Sequence, residues 1–195
     1  MVAVLACAAA VIAWRSAGDG LTLAPESRIW VEGTSTVRSF KCSSTGMQAT
    51  VDAAADAIRA VLAGEKAVTA VSLTVPDKSL DCGNGTMNEH MLNALNEKAH
   101  PAIAFRLVSY ELAAADTGRA GSLSGVLTIN GADQQVSFPV QLREGAAGAL
   151  RVTGKYALNM RDYGIKPPTL MLGTMKVGEK VTVNFDLLLK SGMGE

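Results

Sequence analysis

The sequence lacks an excess of charge of either sign. Its 18 Lys and Arg residues balance 18 Asp and Glu residues, so the formal net charge is zero. Binding to nucleic acid requires a basic face for the phosphates, and long-range attraction to an anionic membrane also requires surplus positive charge. The balance therefore argues against a nucleic-acid partner and against standing attachment to a membrane surface.

Residues for catalysis or metal binding are also scarce. The two histidines, His90 and His100, belong to no HExxH motif or other metal-ligand spacing. The chain contains no GxSxG nucleophile elbow, no GxxxxGK[ST] loop and no GxGxxG fingerprint. The carboxylates are scattered over polar positions and are not paired as glycosidase chemistry requires. We therefore expect no metal, no cofactor and no enzymatic activity.

No hydrophobic run is long enough to cross a bilayer. Val2–Trp14 is shorter than the ~20 residues of a transmembrane helix and resembles the apolar part of a secretory signal, although no basic segment precedes it. We predict that residues 1–20 are a signal peptide or an apolar N-terminal segment, and that residues 21–192 form one exported domain. Lipoprotein anchoring through Cys7 is disfavoured, because Val4-Leu5-Ala6 is a poor context for acylation.

Cysteine is rare, with three in the chain. If Cys7 belongs to the N-terminal segment, Cys42 and Cys82 remain. An even number of cysteines in an exported domain favours a disulfide between them. Two buried free thiols are the alternative, and zinc is disfavoured because neither a CxxC motif nor a nearby pair of histidines is present.

The abundant feature is two-residue alternation of apolar and polar side chains, which predicts β-strands. Asn130-Gly131 predicts a tight hairpin, while Pro139 indicates an edge, a bulge or a rim position, and Gly125 and Gly154 indicate bends. Short strands separated by turn signals predict an antiparallel sandwich or barrel of about eight strands. The predicted strands are Arg28–Glu32, Met47–Val51, Ala70–Val75, Ala102–Leu107, Ser122–Ile129, Val136–Leu142, Leu150–Leu158 and Val181–Leu189.

Two segments have helical periodicity. Asp52–Leu62 has one apolar face and is expected to end before Gly64. Thr86–Asn96 carries Met87, Met91, Leu92 and Leu95 on one face, and we predict Thr86 as its N-cap in a capping box with Glu89.

If the strands close into a barrel, their apolar side chains point inward. Many of these side chains are of middle size, which favours a dry lumen where each buried CH₂ of a hydrocarbon contributes about 0.8 kcal/mol. A barrel filled by its own side chains is the open alternative. The predicted lumen residues are Ile29, Val31, Leu73, Val75, Ile103, Phe105, Leu127, Ile129, Phe138, Val140, Val152, Tyr156, Leu158, Val183 and Phe185, with Met87 and Met91 of the second helix.

A polar head group, if the ligand has one, would meet the rim of the barrel. We predict Arg161, Tyr163 and Lys166 as rim residues, because they flank a loop that Pro167 and Pro168 stiffen.

Several short motifs, taken in their order along the chain, resemble the YceI family. They are Gly33-Thr34-Ser35, the step His100–Phe105, the strand and turn Gly125–Gly131, and Asp162–Ile165, within a match from Ser27 to Lys190. The resemblance implies an all-β fold: an eight-stranded antiparallel lipocalin-like barrel with one or two short helices. The Asp52–Leu62 helix departs from the family pattern as an insertion, and the cysteine pair occurs only in a subset of the family.

The resemblance also implies a function. YceI proteins are periplasmic or secreted, and some bind a polyisoprenoid or an isoprenoid quinone. The expectation is a non-catalytic, exported protein that sequesters or transports an isoprenoid-type amphiphile, touches a membrane only transiently for lipid exchange, and is a monomer or homodimer. The alternative is an envelope-stress or interaction protein with a filled barrel.

Overall fold

Strands dominate the computed structural model, which describes residues 20–170 and 174–192. The predicted signal segment and Cys7 lie outside the described residues. In the described part the strands are β1 (Leu21–Leu23), β2 (Arg28–Ser35), β3 (Ser39–Ser44), β4 (Gln48–Ala53), β5 (Val68–Pro76), β6 (Ala102–Ala114), β7 (Arg119–Ile129), β8 (Ala132–Glu144), β9 (Leu150–Asn159), β10 (Thr169–Leu170) and β11 (Met175–Ser191). The helices are α1 (Ala57–Ala63) and α2 (Gly85–Leu95).

The sheet closes on itself through β11. One edge of β11 pairs with β9, and the other pairs with β2 and then with β1, all antiparallel. β1 and β2 thus follow each other as one interrupted strand. β3 pairs with β2 and β4 pairs with β1, so β3 and β4 form a second interrupted strand next to the first. Counted in this way, the sheet is a closed eight-stranded antiparallel barrel, which confirms the predicted fold class.

The interruption between β1 and β2 has a local cause. Pro25 lies there and has no N–H to donate to the ladder. The hydroxyl of Ser27, which is 1% exposed, replaces the missing backbone partner and accepts a hydrogen bond from the Leu188 N–H at 2.9 Å. The barrel therefore remains closed across the break.

Helix α1 closes one end of the barrel. It joins β4 to β5 and is shorter than predicted, because Asp52 and Ala53 extend β4 and pair with β5. It ends at Gly64, whose φ of 97° lies in the left-handed region, as the sequence indicates. Val61 is 2% exposed and packs in a core cluster with Leu142 and Leu150.

Helix α2 lies at the opposite end of the barrel. Whereas α1 precedes the first residue of β5, α2 follows the last residue of β5 and leads into β6. Its predicted N-cap, Thr86, is wrong, since Thr86 lies inside the helix. Asn84 is the N-cap, and its side-chain oxygen accepts a hydrogen bond from the Met87 N–H at 3.0 Å. The capping box with Glu89 is therefore not formed.

The β7–β8 hairpin and Pro139 follow the sequence predictions. Asn130 and Gly131 have φ angles of 51° and 73°, as a type I′ turn requires. Pro139 pairs with Ser122 of β7, while the β8–β9 ladder ends at Val140. The part of β8 before Val140 contacts the turn Met160–Tyr163 instead of β9. There the Gln134 side chain donates a hydrogen bond to the Asp162 carbonyl at 2.7 Å.

Two carboxylates of the fold have pKa shifts of opposite sign. Asp77, directly after β5, is 2% exposed, and its burial, followed by the negative charge of Glu97, raises its pKa to about 6. Asp186 on β11 accepts a hydrogen bond from Arg151 Nε at 2.6 Å, and this bond is the main cause that lowers its pKa.

The Asp77 shift predicts a pH-dependent effect of Asp77→Asn. The folded-state pKa lies above the ordinary value of 3.8, so the contribution of Asp77 to stability is fully present below that value. It is lost as the pH rises through about 6. Asparagine stays neutral, so the variant should gain stability relative to the wild type, on the order of 2 kcal/mol, between pH 3 and pH 8. Urea unfolding at a series of pH values measures this difference.

Asp186→Asn is the matched control for that experiment. Its folded-state pKa is lowered, so the wild-type carboxylate stabilises the fold at neutral pH, and the variant should lose stability there and approach the wild type in acid. A stability difference between Asp77→Asn and the wild type that does not change with pH would contradict the assignment to Asp77.

Candidate functional site

A cavity of about 340 Å³ lies inside the barrel. Its lining includes side chains from both helices and from all of the barrel strands in the described part of the chain. It extends from Val61 of α1 to Met87 and Met91 of α2, and these helices lie at opposite ends of the barrel. The site is therefore an elongated tube with apolar walls.

The structure places most of the predicted lumen residues on the wall of this tube, because inward and outward side chains alternate along each strand. Their role in binding a ligand stays a prediction. The predicted residues that line the cavity are Ile29, Val31, Leu73, Val75, Ile103, Phe105, Leu127, Ile129, Phe138, Val152, Tyr156, Leu158, Val183, Phe185, Met87 and Met91.

Val140 is the exception. Its side chain is 2% exposed and belongs to the core cluster that also contains Phe138 and Phe185. It faces inward, as its position in β8 predicts, but it does not line the cavity. Val140 is therefore a packing residue of the core.

The predicted set omits the wall residues of three strands. β1 and β3 were not predicted as strands, and no lumen residue was assigned to the predicted strand Met47–Val51, which corresponds to β4. Leu23, Phe40, Ala49 and Val51 line the cavity from these strands. The alternation Phe40-Lys41-Cys42 carried a signal for β3, since Phe40 and Cys42 face the interior. Leu23 lies in a strand of three residues, which is too short to show a period.

Few polar side chains line the cavity. Among the described residues they are His90 of α2 together with Tyr110 and Tyr156. The Tyr110 hydroxyl accepts a hydrogen bond from the Val68 N–H at 3.2 Å. Within the described residues, no group of three or more His, Cys, Asp or Glu side chains is arranged to hold a metal ion.

The three predicted rim residues have different environments. Arg161 and Lys166 are exposed, and Arg161 forms an ion pair with Glu179 at 2.6 Å. Pro168, on the same loop as Lys166, lines the cavity, so this loop borders the end of the tube near α2.

Tyr163 is not a rim residue, which corrects the prediction. Its side chain is 1% exposed and packs in a core cluster with Leu158 and Ile165. Burial, followed by the neighbouring Tyr156, raises the pKa of its phenol. The pairing between β8 and β9 ends at Val140, so the part of β8 before Val140 has no hydrogen-bonded partner in β9. The turn Met160–Tyr163 packs against that part of β8 and buries the tyrosine.

A strap of residues 77–101 connects β5 to β6 and carries α2 over the end of the tube. Cys82 of the strap forms a disulfide with Cys42 of β3, as predicted. Next to it, Ser43 and Asp81 exchange two backbone hydrogen bonds of 2.8 Å. Both cysteines line the cavity, so the disulfide is part of its wall.

The side chains of α2 are only partly buried. No residue of α2 is fully buried, and its apolar side, with Met87, Met91 and Leu95, faces the cavity. The helix therefore covers the tube with partly buried side chains, and its Ala94 and Leu95 pack against the core cluster that contains Ile129.

Comparison with known proteins identifies the family. A model of the YceI-like domain matches residues 28–189, which is most of the chain. The chain belongs to the YceI-like family. A comparison with curated protein sequences gave no match.

Solved structures agree with the YceI-like fold. Burkholderia cenocepacia BcnA is 18% identical, with a TM-score of 0.67, and the match covers 85% of this chain and 98% of BcnA. A polyisoprenoid-binding domain from Saccharophagus degradans, implicated in plant cell wall breakdown, is 12% identical, with a TM-score of 0.66 and coverage of 88% and 98%. The Campylobacter jejuni YceI protein is 16% identical, with a TM-score of 0.56 and coverage of 76% and 82%.

In the described part of this YceI-like chain, none of the helices has the length and hydropathy that a membrane span needs.

The disulfide of the strap should stabilise the fold. It joins cysteines separated by 40 residues, and a loop of that length corresponds to ~4 kcal/mol in the chain-entropy account. We expect the variant with both Cys42→Ser and Cys82→Ser to lose most of this stability in chemical unfolding.

Reducing agent provides the control. It should lower the unfolding midpoint of the wild type to that of the double variant and should leave the double variant unchanged. An equal midpoint for the wild type with and without reductant, despite full thiol release, would refute a stabilising role.

Proposed function

We propose that this protein binds one isoprenoid-type amphiphile and carries it or sequesters it from water, with the apolar tail in the barrel lumen. The observation that supports this most directly is the elongated cavity of about 340 Å³ with apolar walls. Known ligand sites have volumes of about 300–1,000 Å³ and walls that are mostly apolar. A hydrocarbon chain suits such a tube, since each buried CH₂ contributes about 0.8 kcal/mol.

The end near α2 is the proposed entrance. The other end is closed by α1, where Val61 is 2% exposed and Arg119 Nε donates a hydrogen bond to the Leu62 carbonyl at 2.8 Å. At the α2 end the covering side chains are only partly buried. The exposed Lys166 lies on the bordering loop, and Arg161, paired with Glu179, lies beside it, so a polar head group would meet water and Lys166 there.

We further propose that the protein works outside the cytoplasm and does not catalyse a reaction. The disulfide between Cys42 and Cys82 supports an oxidising compartment. The lumen of the described barrel offers no facing pair of carboxylates for acid–base chemistry. The cavity favours a lipid carrier over an interaction protein with a filled barrel.

Filling the tube should abolish lipid binding. Ala49 lines the cavity from β4, and Ala49→Trp would place an indole in the space for the tail. We expect organic extraction and mass spectrometry to release a stoichiometric lipid from the wild type and at least about tenfold less from the variant, because the lost tail contacts exceed 1.4 kcal/mol.

Thr50→Trp is the matched control, since Thr50 is the next residue of β4 and is exposed. It should retain the lipid content of the wild type. If purified wild-type protein releases no lipid and also fails to bind added isoprenoid alcohols, the carrier function is wrong.

A further inference from the structure

The tip of the β2–β3 hairpin exposes an apolar side chain at the α2 end of the barrel. Ser35 at the end of β2 pairs with Val177 near the start of β11, so the tip lies at the same end as the proposed entrance. Val37 in this tip is 66% exposed. In the described part of the chain, the other large apolar residue with such exposure is Val108 of β6, at 69%.

Hydrogen bonds of the turn fix Val37 in its exposed position. The Ser35 hydroxyl accepts hydrogen bonds from the Val37 N–H at 3.3 Å and from the Arg38 N–H at 3.2 Å. The Ser35 N–H donates to the Arg38 carbonyl at 2.8 Å. Turns favour Gly, Asn, Asp, Pro and Ser, and the β7–β8 turn does use Asn130-Gly131. The chemistry of the turn therefore does not account for a valine at this tip.

The tip is attached to the loop that borders the tube. The Thr36 N–H donates to the Lys176 carbonyl at 3.0 Å, and the Thr36 hydroxyl accepts from the Lys176 N–H at 3.2 Å. The next residue, Val177, donates its N–H to the carbonyl of Pro168 at 3.1 Å, and Pro168 lines the cavity. Val37 is therefore held beside the proposed entrance.

Three exposed cations lie on the same connections. They are Arg38, Lys166 and Lys176, and none of them forms an ion pair with the described residues. The carboxylates of residues 159–179 are Asp162 and Glu179, and Glu179 already belongs to an ion pair. This side of the entrance therefore carries surplus positive charge.

The surplus is local. The strap, residues 77–101, carries two lysines and four carboxylates on the other side of the entrance. The connections at the α1 end, residues 54–67, 115–118 and 145–149, carry two cations and three carboxylates. Because the chain as a whole is neutral, a positive surplus on one side of one end suits brief contact with an anionic surface and not standing attachment.

We propose that Val37, Arg38, Lys166 and Lys176 form a patch that docks on the surface of an anionic lipid bilayer. Proteins that bind at such surfaces place apolar side chains at the boundary between head groups and acyl chains, and electrostatic attraction to anionic lipids adds to the binding. Each basic residue close to an anionic leaflet tightens binding about fivefold.

Docking through this patch brings the entrance of the tube to the bilayer, because Pro168 lines the cavity on the adjoining loop. An amphiphile then passes between bilayer and lumen with little exposure of its tail to water. The inference rests on the proposed function for this purpose and adds the partner surface to it.

Sedimentation with lipid vesicles tests the patch on the full folded protein. Phosphatidylcholine vesicles with phosphatidylglycerol present the anionic surface, and pure phosphatidylcholine vesicles are the neutral comparison. We expect the wild type to bind the anionic vesicles and to leave them at high salt, where the range of charge interactions falls from about 10 Å to about 3 Å. Arg38→Gln with Lys176→Gln should weaken binding about 25-fold, and Val37→Ser about fivefold.

Each variant has a matched control. Val108→Ser changes an equally exposed valine in the middle of β6 and should bind like the wild type. Arg59→Gln with Arg143→Gln removes the same charge from exposed positions at the α1 end and should leave binding near the wild-type value.

The outcomes separate the docking patch from the carrier function. Equal losses in the two double variants, equal binding by Val37→Ser and Val108→Ser, or no binding of the wild type to anionic vesicles at low salt would each overturn the patch. Lipid released from the same protein by organic extraction would still support the carrier function in those cases. A wild type that docks through the patch but neither contains nor takes up lipid would overturn the carrier function and leave the patch in place.

Discussion

Closure of the sheet through β11 is the constraint on which the other features of this structure depend. β11 has partners along both edges, so the ladder has no free end between β9 and the β1–β2 pair. A closed ladder fixes which side chains face inward, because they alternate along every strand. The inward side chains must then fill the interior or leave a space, and here they leave an apolar tube.

The two ends of the tube are closed in different ways, and the difference gives the barrel a direction. At one end α1 buries Val61 among core residues, and at the other α2 covers the tube with side chains that are only partly buried. The disulfide between Cys42 and Cys82 attaches the strap beside β3. The tube is therefore closed by buried side chains at one end and by partly buried side chains at the other.

Much of the fold and the wall could be predicted from local patterns. Alternation identified the long strands and, with them, Ile103, Phe105 and Leu127 as inward side chains. Alternation failed where the strand was too short to show a period, as in β1. The prediction of the N-cap of α2 failed because Asn84, and not Thr86, caps the helix. The prediction for Tyr163 also failed, because its burial results from the end of the β8–β9 ladder and not from its neighbours in sequence.

The sequence by itself determined the period of the strands and the Asn130-Gly131 turn, because each depends on residue type and short spacing. It favoured a disulfide between Cys42 and Cys82, and the structure confirmed that pairing across 40 residues. Only the tertiary structure decided the function of Gly125 and Gly154, which the sequence suggested as bends. Gly125 does face a bulge at Val108 of β6, but both glycines also make room for a ring from the next strand. Contacts between strands far apart in the chain have no signature in local sequence, so the apolar tube became visible only when the barrel was closed.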